Sequence, residues 1–262
     1  MNDSRFSVRD KVTLVSGGSR GIGRALAAGY HQAGARVVIT GRDEATLKEA
    51  AAQIGSEDRP VETLVCDVAD VGAVQRMVDA VHDRFGRIDV LLNVAGVNIR
   101  QPAMDFTEDQ FDYVVDINLK GAFFVAQRVG QHMAEQRGGS IINVDSLNTY
   151  APLKPYAMSK GGVVMMTRGL AVELGQHGVR VNTIAPGFIL TDLTQKLWSD
   201  PTMRNWGETN TPLGRLGEVE DLVGAALFLA SEAAAFMTGQ VVRVDGGFTA
   251  GLNWPIPDGG GQ

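Results

Sequence analysis

The sequence predicts an α/β fold in which one doubly wound sheet of seven parallel strands carries helices on both faces. Three observations point to it. Short β-branched runs alternate with longer periodic segments along nearly the whole chain. The runs, such as V-V-I-T at 37–40 and V-L-L-N at 90–93, are almost continuously apolar, as strands buried on both faces must be. The first run ends in glycines just before an alanine-rich helical segment, and the next run closes a βαβ unit of right-handed crossover.

In chain order, residues 11–16 form the first strand, stopped at Gly17, and 22–34 the first helix. Strand 36–40 returns, followed by helix 44–54, strand 61–66, helix 71–85, strand 88–92 and a long helix over 108–136. Strand 140–145 leads to a polar, proline-containing stretch, then helix 156–176 and strand 179–185. Residues 191–217 are too irregular for sheet and too aromatic for a plain linker, and are expected to be a substrate lid. Helix 219–231 and strand 240–245 complete the pattern, and 257–262 (P-D-G-G-G-Q) is expected to be a loose tail.

With 262 residues, no linker and no repeat, the chain is expected to be a single domain over 1–262. A formal net charge of −6 without a Lys/Arg run that could track phosphates gives no electrostatic support for nucleic-acid binding, so no nucleic-acid partner is expected. Cys66 is the one cysteine, and the N-terminal residues lack the apolar core of a signal peptide, which suggests a cytoplasmic setting. No apolar run reaches the roughly 20 residues that a bilayer requires, so no membrane partner is expected.

The chemistry gathers at the ends of the strands. In S16-G17-G18-S19-R20-G21-I22-G23 the glycines let backbone approach a pyrophosphate, while the helix behind them offers N–H donors and a partial positive charge. The second strand ends in Gly41-Arg42, where a carboxylate would bind a ribose 2′-hydroxyl and an arginine accommodates a 2′-phosphate. With Arg20 as a second cation, the position argues for NADP(H) over NAD(H). Asp67-Val68 and N93-V94-A95-G96 follow two further strands, each equally readable as an Asx turn or a cap. Asn118 interrupts an apolar helical pattern, so it either satisfies a kinked backbone or holds a water or side chain near a site. Tyr156 and Lys160 stand four apart after Pro155 and project from one helix face, with Ser146 upstream across the loop. Using a tyrosine near neutrality means lowering its usual value of about 10 by roughly 3 units, part of which a neighbouring ammonium supplies.

Taken together these motifs resemble the short-chain dehydrogenase/reductase family, over nearly the whole chain. Gly17, Ser19, Arg20, Gly21, Ile22 and Gly23 are similar to its cofactor turn, Asp67 and Val68 to its adenine contact, and Asn93, Ala95 and Gly96 to its Asn-Asn-Ala-Gly motif with Val94 replacing the second Asn. Pro186, Gly187, Ile189 and Thr191 resemble its nicotinamide-side motif, and V-D245-G246-G247 its last strand and exit. The members it most resembles are 3-oxoacyl carrier-protein reductases and gluconate 5-dehydrogenases.

The resemblance implies a single-domain Rossmann-type fold and an oxidoreductase interconverting a ketone and a secondary alcohol. Tyr156 would exchange the proton with the substrate oxygen, Ser146 would hold that oxygen, and Lys160 would lower the tyrosine's pKa and bind the nicotinamide ribose. Asn118 would keep a water in a proton path. No metal is implied. A homotetramer, or a homodimer, would form through the long helices and the last strand, with Trp254 reaching a neighbouring subunit. An NAD(P)-binding regulatory protein, or an epimerase or dehalogenase on the same fold, is the rival reading. The Ser146 to Tyr156 separation is ten positions, shorter than is common in the family, so the loop is expected to open the pocket or pass its wall to another segment. The lid leaves the substrate open, since Leu197, Trp198, Met203 and Trp206 suit an apolar body whereas Lys196, Arg204 and Arg100 suit a carboxylate.

Overall fold

The computed structural model describes residues 4–147 and 154–251. Seven parallel strands lie side by side in the order β3-β2-β1-β4-β5-β6-β7. They are β1 (Val12–Ser16), β2 (Arg36–Gly41), β3 (Glu62–Val65), β4 (Val90–Asn93), β5 (Gly139–Val144), β6 (Val179–Pro186) and β7 (Val241–Val244). Strand order reverses between β1 and β4, which opens a crevice at their carboxyl ends, where ligands of such sheets bind.

Two apolar cores sandwich the sheet. Helices α3 (Val71–Phe85) and α5 (Ala122–Glu135), with α6 (Lys154–Gly175), cover one face through Val78, Val81, Val125, Val129 and Leu170. Helices α1 (Gly21–Gln32), α2 (Glu44–Ile54) and α9 (Val223–Ala230) cover the other through Leu26, Tyr30, Leu47 and Leu229. The Tyr30 hydroxyl donates to the Ala226 carbonyl at 2.7 Å, which satisfies the one polar atom of a fully buried ring. Helix starts follow their caps: Asp43 accepts from Thr46 N, Asp70 from Ala73 N, and Gly86, at φ +72°, stops α3.

Two segments depart from expectation. The long helix over 108–136 is instead α4 (Glu108–Val115), a π-helical stretch (Asp116–Gly121) and α5. A Cβ at Gly121 would stand 2.6 Å from the Val68 carbonyl, so the glycine lets this stretch press against the turn after β3. The segment 191–217 is not irregular throughout but holds α7 (Gln195–Trp198) and α8 (Pro201–Asn210). Asp200 caps α8, and Pro201 occupies its first turn, where a missing N–H costs nothing.

Candidate active site

A cavity of about 970 Å³ runs along the carboxyl ends of the strands from the glycine turn to the lid helices. Its floor is made by backbone at close quarters. Gly17 has φ +80°, and a Cβ there would meet Ala95 Cα and N at 2.8 Å. A Cβ on Gly23 would lie 2.0 Å from the Gly17 carbonyl, so the first turn of α1 sits directly on the loop. Only glycine permits this, and Ser19, Gly21, Ile22 and Gly23, at the start of α1 where the first N–H groups of a helix lack intrahelical partners, line the cavity. Arg20, in the glycine turn before α1, and Arg42, just after β2, line the same space. Neither makes a salt bridge among the described residues; the nearby Asp43 caps α2, and Arg20 attracts its carboxylate through space.

Asp67, Val68, Ala95, Gly96, Pro186, Gly187, Ile189 and Thr191 also border the cavity. Asp67 additionally accepts from Ala69 N at 3.0 Å, so the Asx turn and the cavity position coexist. Asn93 does not reach it. Its side chain donates to the Ala122 carbonyl at 2.8 Å and to Asn143 Oδ1 at 3.1 Å, beneath the cavity floor.

The candidate catalytic groups converge at the centre. Tyr156 and Ser146 are hydrogen-bonded through their side chains, although ten positions separate them. Lys160, one turn along α6, is 4% exposed, and its ammonium donates to the Val144 carbonyl at 2.7 Å. That nitrogen lies 5.9 Å from the centre of the Tyr156 ring. Burial lowers its pKa to about 8, with Asp145 pulling the other way. Burial likewise raises the Tyr156 phenol, the Ser146 bond opposes this and Asp145 adds to it. The direction is opposite to the lowering expected from a neighbouring ammonium, because here Lys160 is turned to a carbonyl and desolvation dominates.

Asn118 stands behind this centre, in the π-helical stretch. Its Oδ1 accepts from Val97 N at 2.7 Å, and its amide donates to the Val97 carbonyl at 2.9 Å and to Ser159 Oγ at 3.1 Å. Both amide protons are thereby used to clamp the loop after β4 to α6. A Cβ on Gly96 would lie 3.3 Å from Asn118 Oδ1 and 3.7 Å from Lys160 Nζ, so glycine keeps the two in proximity.

Sequence reading missed two features. Asp145, a buried carboxylate at the exit of β5, borders the cavity and interacts with both Tyr156 and Lys160. A charged residue closing an apolar run was its visible signal. The second is a buried chain in which Asn143 donates to Thr167 Oγ1 at 2.9 Å and Thr167 meets the Thr183 hydroxyl at 2.8 Å. It ties α6, which carries Tyr156 and Lys160, to β5 and β6.

At the lid end, Leu197, Trp198, Met203, Trp206 and Arg100 line the cavity, whereas Lys196 and Arg204 do not. Arg204 is paired with Glu208 at 2.9 Å. Most of the short loop between Ser146 and Tyr156, and Trp254 with the tail, lie outside the described residues.

Known proteins resemble this chain over nearly its whole length. A family model described as enoyl-(acyl carrier protein) reductase matches residues 17–249. The chain is 40% identical over 250 residues to gluconate 5-dehydrogenase of Gluconobacter oxydans (strain 621H), with 94% of this chain and 98% of that protein covered. It is 38% identical over 240 residues to the 3-oxoacyl-acyl-carrier-protein reductase of Thermotoga maritima, covering 90% and 97%. The solved structure of a gluconate 5-dehydrogenase from Burkholderia cenocepacia J2315 in complex with NADP and tartrate superposes with a TM-score of 0.91 at 38% identity, covering 95% and 99%. Relatives this similar, matched nearly end to end, place the chain in the short-chain dehydrogenase/reductase family, as an oxidoreductase of CH–OH or C=O groups.

Proposed function

We propose that the chain is an NADP(H)-dependent oxidoreductase of a single domain, interconverting a ketone and a secondary alcohol with Tyr156 as proton donor and acceptor. The observation that carries this reading is the hydrogen-bonded Ser146–Tyr156 pair beside buried Lys160, in one cavity with the glycine turn. The bound nicotinamide supplies or takes up the hydride. Ser146 holds the substrate oxygen. The Tyr156 O–H breaks as the O–H of the alcohol forms; the phenol, held above its ordinary pKa by burial, carries that proton at neutral pH but as a weaker acid than a free tyrosine. Lys160, titrating near 8, can return that proton close to neutrality. Asn118 acts behind it by fixing the Val97 loop against α6.

The residues fit the cofactor. The turn leaves no room for a Cβ at Gly17, the start of α1 borders the cavity where helix N–H groups suit a pyrophosphate, and two guanidinium groups without salt bridges among the described residues suit a 2′-phosphate. This supports NADP(H) over NAD(H), as does NADP in the Burkholderia relative. Residues 191–217 serve as the lid. Assembly into a homotetramer or homodimer is supported by Met158, Met165 and Val172, exposed at seven-residue spacing along one side of α6. Among the described residues no helix is long and apolar enough to cross a membrane.

The test is NADPH oxidation followed at the reduced-nicotinamide absorbance over a ketone panel. Tyr156→Phe should lower turnover by about 10²–10⁴-fold while leaving NADPH affinity near wild type. Turnover retained in that variant would remove the proton-transfer role.

A further inference from the structure

From four aromatic rings at the lid end of the cavity, we infer that the substrate is an apolar, ring-bearing ketone or secondary alcohol rather than an open-chain polyhydroxy acid. The inference rests on the oxidoreductase reading above and adds the substrate class to it.

The rings come from three separate parts of the chain. Phe188 follows β6, Trp198 and Trp206 stand on the lid helices, and Phe248 follows β7. Phe188 is central: its ring lies 5.2 Å from Trp198, 5.7 Å from Trp206 and 4.6 Å from Phe248, at interplanar angles of 59–67°. Trp206 and Phe248 close the group at 6.1 Å. Edge-to-face contacts of this kind hold a wall of fixed shape. The lid is seated on it by a glycine, since a Cβ on Gly207 would meet Trp198 at 3.0 Å and Leu216 at 2.9 Å. Trp206 remains 45% exposed at the mouth, so apolar area is left for an incoming molecule to cover.

Among the described residues the polar groups at this end are few for a polyol, Trp198 Nε1 being a buried donor without a partner. A molecule with several hydroxyls must exchange each bond to water for one to protein. Thr194 already spends its hydroxyl on the Ile189 carbonyl at 2.7 Å, and Asp192 lies exposed at the rim. Of the three cations that the sequence offered for a carboxylate, two in the lid and one after β4, Lys196 and Arg204 lie off the cavity, leaving Arg100, which is exposed. Asp145 and Asp192 also border the cavity, so among the described residues Arg100 and Lys160 are matched in number by two carboxylates at this end.

The experiment compares kcat/KM with NADPH for an alkyl-substituted cyclohexanone, an aryl methyl ketone, 2-butanone and 5-keto-D-gluconate. A ring ketone should exceed both 2-butanone and the keto sugar acid by at least about tenfold, the range that apolar pockets deliver. Trp206→Ala should reduce the ring-to-butanone ratio by about tenfold, chiefly through KM, and Trp206→Phe should restore most of it. Binding is read separately with NADPH-bound Tyr156→Phe protein, in which the ring ketone should quench tryptophan fluorescence saturably and 5-keto-D-gluconate should not. Preference for 5-keto-D-gluconate in either readout overturns the inference and leaves the oxidoreductase reading standing. Absence of NADPH consumption with every carbonyl overturns that reading instead, and the fluorescence titration still decides for or against the ring.

Discussion

Replacing Lys160 by methionine should flatten the pH dependence of stability, by an amount that follows from where the lysine sits. The side chain is 4% exposed and titrates near 8 rather than at 10.5, because burial disfavours its charge more than Asp145 restores it. In the unfolded chain it titrates at the ordinary value. Between about pH 8 and 10.5 the unfolded state therefore holds a proton that the folded state has released, and stability rises with pH. Below that window both states are charged and the full penalty applies. Above it both are neutral and the penalty is gone. At about 1.4 kcal/mol per unit the penalty is about 3 kcal/mol at pH 7, of which about 2 kcal/mol should be recovered by pH 9.5. Urea unfolding of the ligand-free protein, followed by tryptophan fluorescence at both pH values, measures it. Wild type should gain about 2 kcal/mol more than Lys160→Met between them, other titrating groups cancelling in the comparison. If the two proteins keep a constant difference in stability across that range, Lys160 titrates normally and the reasoning fails.

Two further substitutions address the cofactor. Arg42→Asp should weaken NADPH by about 10–150-fold, the worth of one charge-assisted hydrogen bond, and leave NADH little changed. Equal effects on the two cofactors in a fluorescence titration would refute the 2′-phosphate reading. Gly17→Ala places a Cβ 2.8 Å from the Ala95 backbone at φ +80°, so it should weaken both cofactors at least about tenfold and lower the melting temperature. Wild-type affinity in that variant would show that the turn need not be closed to bind.

The elements most legible in the sequence are those whose local chemistry and tertiary role coincide. Helices 44–54 and 71–85 keep the bounds read from the sequence, because Asp43 and Asp70 cap them and an apolar stripe faces the sheet. The π-helical stretch at Asn118 was not legible, since one extra residue in a turn leaves helical periodicity almost intact. The odd polar residue was the trace it left. Helix α8 carried a start signal in Asp200-Pro201 but no core stripe, because Met203 and Trp206 face the cavity. The proximity of Tyr156 and Lys160 followed from their spacing. The directions of their pKa shifts did not, because spacing says nothing of burial or of the Val144 carbonyl that takes the ammonium. Asn93 was assigned to the site as a residue at a strand end, yet it turns toward Asn143 and Ala122.

That inward turn has a consequence for how the sheet assembles. Thr40, Ser16, Asn93, Asn143 and Thr183 are successive register partners, forming one polar file across β2, β1, β4, β5 and β6. Strands that are apolar on both sides tolerate sliding, because Ile141 in place of Ile142 buries nearly the same surface. The file removes that degeneracy. A slip of one residue in β5 would carry Asn143 to the opposite side and part its buried amide from Asn93 and Thr167, at about 1–3 kcal/mol, while Asn93 keeps the Ala122 carbonyl and Thr167 keeps Thr183. Misaligned sheets are thus penalised during folding, and the strand ends that bear the chemistry come level with one another.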